Sequence, residues 1–111
     1  MLDHERLDVY HVAIEFLALA HRIIESLPRG NASLTDQLRR ASLSVPLNIA
    51  EGTGKRGARD RARFYGYSRG PAMECGALLD ALQVTGLCDS DTHAEGKRLL
   101  VRTVSMLSKM C

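Results

Sequence analysis

Three clusters of helix-breaking residues cut this chain into four segments, each long enough for a helix. The clusters are Pro28-Arg29-Gly30-Asn31, the stretch Gly52-Thr53-Gly54, and the turn around Gly86. Gly and Pro at that density end helices, and between the breaks no segment alternates apolar and polar residues with period two over a useful length. Strands are disfavoured again by the absence of Trp and the presence of only two Phe and three Tyr. The spacing predicts a first helix from about Asp3 to Leu27. A second starts at Ser33, with Asp36 at capping-box spacing, and ends near Gly52–Gly54. A third runs from near Gly57 to Gly86. The fourth opens with Thr92 and Glu95, also at capping-box spacing, and reaches the C-terminus. Helices of about 20 residues joined by short loops predict an all-α, antiparallel up-and-down four-helix bundle. With 111 residues, one domain over 1–111 is expected.

Composition bounds the setting. A chain that is 45% hydrophobic and 25% charged is globular rather than disordered. No apolar run approaches the roughly 20 residues of a membrane span, and Met1-Leu2-Asp3-His4-Glu5 lacks the basic and apolar regions of a signal peptide. Cys75, Cys88 and Cys111 are odd in number and have no CxxC spacing. A cytoplasmic protein with reduced thiols and no membrane partner is the expectation.

Charge is unevenly spread. Residues 1–38 carry three basic and six acidic side chains, a net of −3, and residues 70–111 carry four and five, a net of −1. Residues 39–69 carry eight basic side chains (Arg39, Arg40, Lys55, Arg56, Arg59, Arg61, Arg63, Arg69) against Glu51 and Asp60, a net of +6. Seven of the eight are Arg, whose planar fork suits phosphate and carboxylate. The plain alternative is a solvated helix end.

Helix one carries more apolar surface than a monomer needs. Leu7, Tyr10, Ile14, Leu17 and Ile24 form one stripe; Val9, Ala13, Phe16, Ala20, Ile23 and Leu27 form another beside it. Together they span roughly 200°, where an amphipathic helix needs a little over 100°. Such a helix is either wrapped by neighbours or buried against another subunit, and the subunit explanation is favoured. On helix two, Leu34, Leu38, Ala41, Val45 and Ile49 form the inward stripe, with Asn48 falling inside it, and Pro46 removes one backbone donor, which predicts a kink or a locally loosened turn. Glu51 lies on the side of Gln37, Arg40 and Ser44. On helix three, Ser68, Ala72 and Gly76 at i, i+4 spacing would admit a close neighbour, while Gly66, Gly70 and Pro71 weaken the helix.

The run Gln37-Leu38-Arg39-Arg40-Ala41-Ser42-Leu43-Ser44-Val45-Pro46-Leu47-Asn48-Ile49-Ala50-Glu51-Gly52 resembles the helix-two signature of the 23S rRNA-intervening-sequence proteins, QLRRA-x-x-S-I-x-x-NIAEG. Phe64 to Glu74 is similar to that family's F-x-x-x-A-x-G-S-x-x-E, with Ser68 in place of Ala and Pro71 in place of Ser, which predicts a more bent helix three. The resemblance implies an up-and-down bundle assembled into a ring-shaped homo-oligomer, commonly a pentamer. It assigns no catalytic residues. Similar bundles accompany reverse transcriptases in diversity-generating retroelements and present basic surfaces to nucleic acid.

Candidate sites divide accordingly. Gly52-Thr53-Gly54-Lys55 is not a phosphate loop, because Ile49 holds the first Gly position, Arg56 follows Lys55, and a helix rather than a strand precedes it. His4, Asp8 and His11 share a helical face but read as surface decoration rather than metal ligands, and no cysteine or serine has a recognisable base. No cofactor, metal or small-molecule substrate is inferred. Asn48, Glu51, Arg39, Arg40 and Arg69 are candidate structural or interaction residues. Glu51 could pair with Arg39 or Arg40 of a neighbouring chain, with Arg69, or with backbone donors of the Gly52–Gly57 turn. Lys55, Arg56, Arg59, Arg61 and Arg63 are the candidate nucleic-acid-binding set. The functional expectation is a non-enzymatic oligomeric scaffold contacting nucleic acid, RNA before DNA. The alternative is a protein-interaction module whose Arg-rich segment meets an acidic partner.

Overall fold

The computed structural model describes residues 1–111. A 3-10 turn at Asp3–Arg6 leads into four helices, α1 (Asp8–Ser26), α2 (Ala32–Thr53), α3 (Ala58–Val84) and α4 (Ser90–Met110), with no strands. The expected first helix is therefore divided: Leu7 is extended between the 3-10 turn and α1. At the other end Leu27, extended as residues before Pro usually are, stops α1, and Gly30 turns the chain at φ +96°.

Both expected capping boxes are replaced. Ser33 lies inside α2, where its Oγ accepts from Gln37 Nε2 at 3.0 Å, and Asn31 precedes the helix without a side-chain cap, donating instead to the Pro28 carbonyl at 2.9 Å. At α4 the cap is Asp89, whose Oδ1 accepts from Thr92 N at 2.7 Å; Glu95 is occupied by Arg98 at 2.8 Å. Between α3 and α4, Gly86 adopts φ +76°, and Leu87 N donates to the Leu82 carbonyl at 2.8 Å. That left-handed residue and reaching-back bond form a glycine C-cap.

α1 packs on α2 and α4, and α3 packs on α2 and α4, so α1 and α3 face each other across the core of a rod 44 × 23 × 22 Å. Phe16, Leu38, Ile49, Leu79, Leu82, Leu99 and Leu107 are its largest fully buried apolar residues. From α2 to α3, residue numbers on one side rise as those on the other fall: Arg40 meets Glu74, Val45 meets Ser68, and Thr53 meets Tyr65.

Neither interior proline breaks its helix. α2 runs through the buried Pro46 and α3 through Pro71. The α1 surplus is also smaller than its sequence suggests. Leu7, Tyr10 and Ile24 are half-buried against the core, leaving only Ile14 of that stripe exposed. Exposed apolar side chains sit elsewhere, with Leu43 and Leu47 on α2, Met73 on α3 and Val101 on α4. Of the three small residues expected to admit a neighbour, Ser68 and Ala72 are buried, with Ser68 bonded to α2, whereas a Cβ at Gly76 would meet nothing within 4 Å; the tightest glycine approaches lie elsewhere. They are at Gly52, against Phe64, Tyr65 and Arg61, and at Gly96, against Leu79 and Leu19.

Candidate nucleic-acid interface

The basic cluster is organised by the turn between α2 and α3. Gly52 has no Cβ, and one placed there would lie 2.9 Å from Phe64 Cβ and 3.2 Å from the Arg61 carbonyl. Glycine therefore lets the start of α3 close onto the end of α2. Thr53 Oγ1 and Tyr65 OH share a hydrogen bond of 3.1 Å across that seam. Arg61 then reaches back, donating through Nη1 to the carbonyls of Lys55 and Arg56 at 3.2 and 2.6 Å. These contacts hold the turn in one shape and fix where its other cations stand.

Of the five candidate nucleic-acid residues, Arg61 is thus partly spent on the turn itself. Lys55 lies 3.6 Å from Glu51 and has its ammonium 4.9 Å from the Phe64 ring centre. Arg63 pairs with Asp60 at 3.2 Å and approaches the same ring at 5.4 Å. Arg56 and Arg59 are exposed and form no ion pair within the chain. Residues 55–63 hold five cations against Asp60 alone, a net of +4 at one end of the rod. Both nearby carboxylates, Glu51 and Asp60, are more than half exposed, so the arrangement supplies charge and hydrogen-bond donors rather than a buried acid or base.

The candidate structural residues are not brought together. Asn48 is only half-buried and donates to the Ser44 carbonyl and Oγ, both at 2.9 Å, within its own helix. Its amide is satisfied locally and lies at the margin of the α2 stripe rather than inside it. Glu51 is exposed and meets Lys55, not Arg39, Arg40 or Arg69 of the same chain. Arg39 faces Asp36 at 3.5 Å, Arg40 faces Glu74 at 3.8 Å, and Arg69 donates to Ser108 Oγ at 2.9 Å. His11 donates to the Glu5 carbonyl and His4 packs against Tyr10, so both histidines of the His4–Asp8–His11 face are engaged in local contacts.

One polar group escaped the sequence reading. Asp80 Oδ1 accepts from both His93 Nε2 at 2.7 Å and Lys97 Nζ at 2.8 Å, tying α3 to α4. These hydrogen bonds, Lys97's first, hold the Asp80 carboxyl below the usual carboxylate range. The i, i+4 spacing of His93 and Lys97 was visible in the sequence; the partner on another helix was not.

No curated protein matches the sequence. The helix-two signature and the F-x-x-x-A-x-G-S-x-x-E stretch lie on two adjacent helices whose seam carries Gly52, Tyr65 and Ser68. The family model that describes the 23S rRNA-intervening sequence protein matches residues 5–109, which take in all four helices but for the last residue of α4, and the chain belongs to that family.

Proposed function

We propose that this protein is a non-enzymatic, cytoplasmic, homo-oligomeric scaffold that contacts nucleic acid through the turn between α2 and α3, with RNA preferred to DNA. The observation that carries the reading is a net charge of +4 over residues 55–63, with Arg56 and Arg59 unpaired beside a turn that Arg61 holds rigid. Cations on a preformed turn bind phosphate with little ordering cost. The family's name, which places it with intervening sequences of 23S rRNA, supports RNA. No helix is long and apolar enough to cross a membrane.

The assembly we propose is an up-and-down antiparallel bundle closed into a ring, most simply of five copies. The falling residue numbers along the α2–α3 seam support the antiparallel order. Two unlike surfaces support the ring. Leu43 and Leu47 form an exposed ridge on α2, while Ala72, Gly76, Ala77, Leu100, Val101 and Val104 line an open groove of about 370 Å³ between α3 and α4. A ridge on one face and a groove on another give head-to-tail contacts, which close into a ring when the rotation between neighbours divides a full turn. Five copies of the +6 segment would carry about +30, a field that attracts polyanions.

Fluorescence anisotropy with labelled RNA and DNA, titrated from low to physiological salt, tests the reading. The unchanged protein should lose affinity steeply with salt. Replacing Lys55, Arg56 and Arg59 together with Gln should weaken binding and flatten the logarithmic salt slope by about 2, at roughly 0.7 per phosphate contact on a single strand. If the unchanged protein binds neither at low salt, the acidic-protein partner takes its place. That second reading draws on Arg39, Arg40 and Arg63, each of which already holds a carboxylate.

A further inference from the structure

We infer that the surface takes unpaired rather than duplex nucleic acid, with Tyr67 as the residue on which a base stacks. The inference rests on the nucleic-acid reading above and adds to it the form of the ligand. Among the aromatic residues near the basic turn, the fold commits all but one. Tyr65 is buried, 7% exposed, with its hydroxyl on Thr53. Phe64 is half-buried between Lys55 and Arg63. Tyr67 is 51% exposed and meets Phe64 edge-on, with ring centres 5.3 Å apart and planes at 75°. A large aromatic ring so exposed, braced by a second ring that two cations flank, is a platform waiting for a flat partner.

Its placement selects the partner. Arg59, Arg63 and Tyr67 follow at four-residue intervals on α3, so they share one outward face at steps of about 6 Å along the axis. Two arginine positions therefore precede the ring on that face, Arg59 without an ion-pair partner and Arg63 beside Asp60 and the Phe64 ring. Gly66 and Gly70 lie to either side of it in sequence, and a Cβ at either would meet nothing within 4 Å. The surface around Tyr67 is left bare where ordinary helix-forming residues would crowd it. A chain that is anionic along its backbone and carries flat, splayed bases meets both features at once. In a duplex the base faces are already stacked on one another, and only the phosphates would be engaged.

The test compares an oligouridylate, which stays unpaired, with an oligoadenylate–oligouridylate duplex, using the full protein and anisotropy at one low salt concentration. Tyr67→Leu should weaken oligouridylate binding about fivefold or more, the loss of one stacked base, and leave the duplex within about twofold. Tyr67→Phe should restore the single-strand affinity. Photocrosslinking to bromouridine-substituted oligouridylate should place the adduct on Tyr67 in the tryptic peptide Phe64–Arg69. If Tyr67→Leu binds oligouridylate like the unchanged protein, or the adduct maps elsewhere, stacking at Tyr67 is wrong while the electrostatic reading stands. If the unchanged protein binds neither probe, both readings fall. Light scattering accompanies each variant; should Tyr67→Leu alter assembly, the crosslink position in the unchanged protein decides.

Discussion

Ser68 Oγ donates to the Val45 carbonyl at 2.7 Å, a fully buried hydrogen bond from α3 into the turn of α2 that holds Pro46. It is the one buried side-chain bond between helices in this part of the core, and it sits where the family usually has Ala. Ser68→Ala should cost about 1 kcal/mol, the net worth of one such bond. For a domain near 100 residues that lowers the melting midpoint by about 4–8 °C. An unchanged midpoint by circular dichroism would mean the bond adds nothing over the family's alanine.

Gly52 and Gly66 should respond oppositely to alanine. At Gly52 the new Cβ would meet Phe64 Cβ at 2.9 Å and the Arg61 carbonyl at 3.2 Å, neither of them the tip of a flexible side chain. The α2–α3 seam must open, at about 1–3 kcal/mol. At Gly66 the space is open and the backbone helical, so Ala should stabilise by up to about 1 kcal/mol. Urea titrations of both variants check the pair; equal shifts in one direction would refute the packing assignment.

The contrast marks what the sequence could show. Four helices, three breaks and the buried α2 positions Leu38, Ala41, Val45 and Ile49 all followed from spacing and breaker chemistry. Spacing gives an angle around a helix axis, but not which arc the neighbours cover. Asn48 therefore looked central and proved marginal, and the α1 surplus proved half-covered. Capping failed for a related reason: Ser33 and Thr92 fit the pattern, but Asp89 sat where the chain actually entered α4. Gly52 closes the recognised signature, yet its reason, the approach of Phe64 and Arg61, exists only across two helices.

Asp80 should make stability pH-dependent in one direction. Its carboxyl is held low by Lys97 and then His93, so the folded state favours the ionised form. That contribution is complete above the ordinary carboxylate value of about 3.9 and is lost as the pH falls through the lower folded value. Asp80→Asn should destabilise the protein at neutral pH, with the gap to the unchanged protein closing in strong acid. Urea midpoints across the acid range measure it, and a gap that persists undiminished would exclude Asp80 ionisation as its source.

The three thiols should separate by reactivity. Cys75 is fully buried on α3, and burial first, then the charge of Glu74, pushes its thiol up to about 12. Cys88 is half-buried and also raised, chiefly by burial, whereas Cys111 is exposed. Thiolates are the reacting form, so a disulfide reagent at neutral pH should modify Cys111 first, Cys88 more slowly, and Cys75 only after denaturation. Release of three equivalents from the folded protein at one rate would contradict the burial of Cys75.

Assembly gives the last test, because the ridge and the groove make separate demands. Leu43 and Leu47 are 44% and 57% exposed on the outer face of α2, so replacing both with Glu leaves the core of one chain untouched. If the ridge seats in a neighbour's α3–α4 groove, the double variant should fall from the ring to the 12.2 kDa chain. A pentamer would scatter light as about 61 kDa, five times that mass. Ala77→Arg, placed in the groove lining, should break the same contact from the other side. Mixing the two variants separates the geometry further: each retains one intact surface, so in a head-to-tail contact they should pair with each other without closing a ring. An unchanged protein that runs as a monomer at high concentration would remove the ring, and variants that remain fully assembled would move the interface to another face.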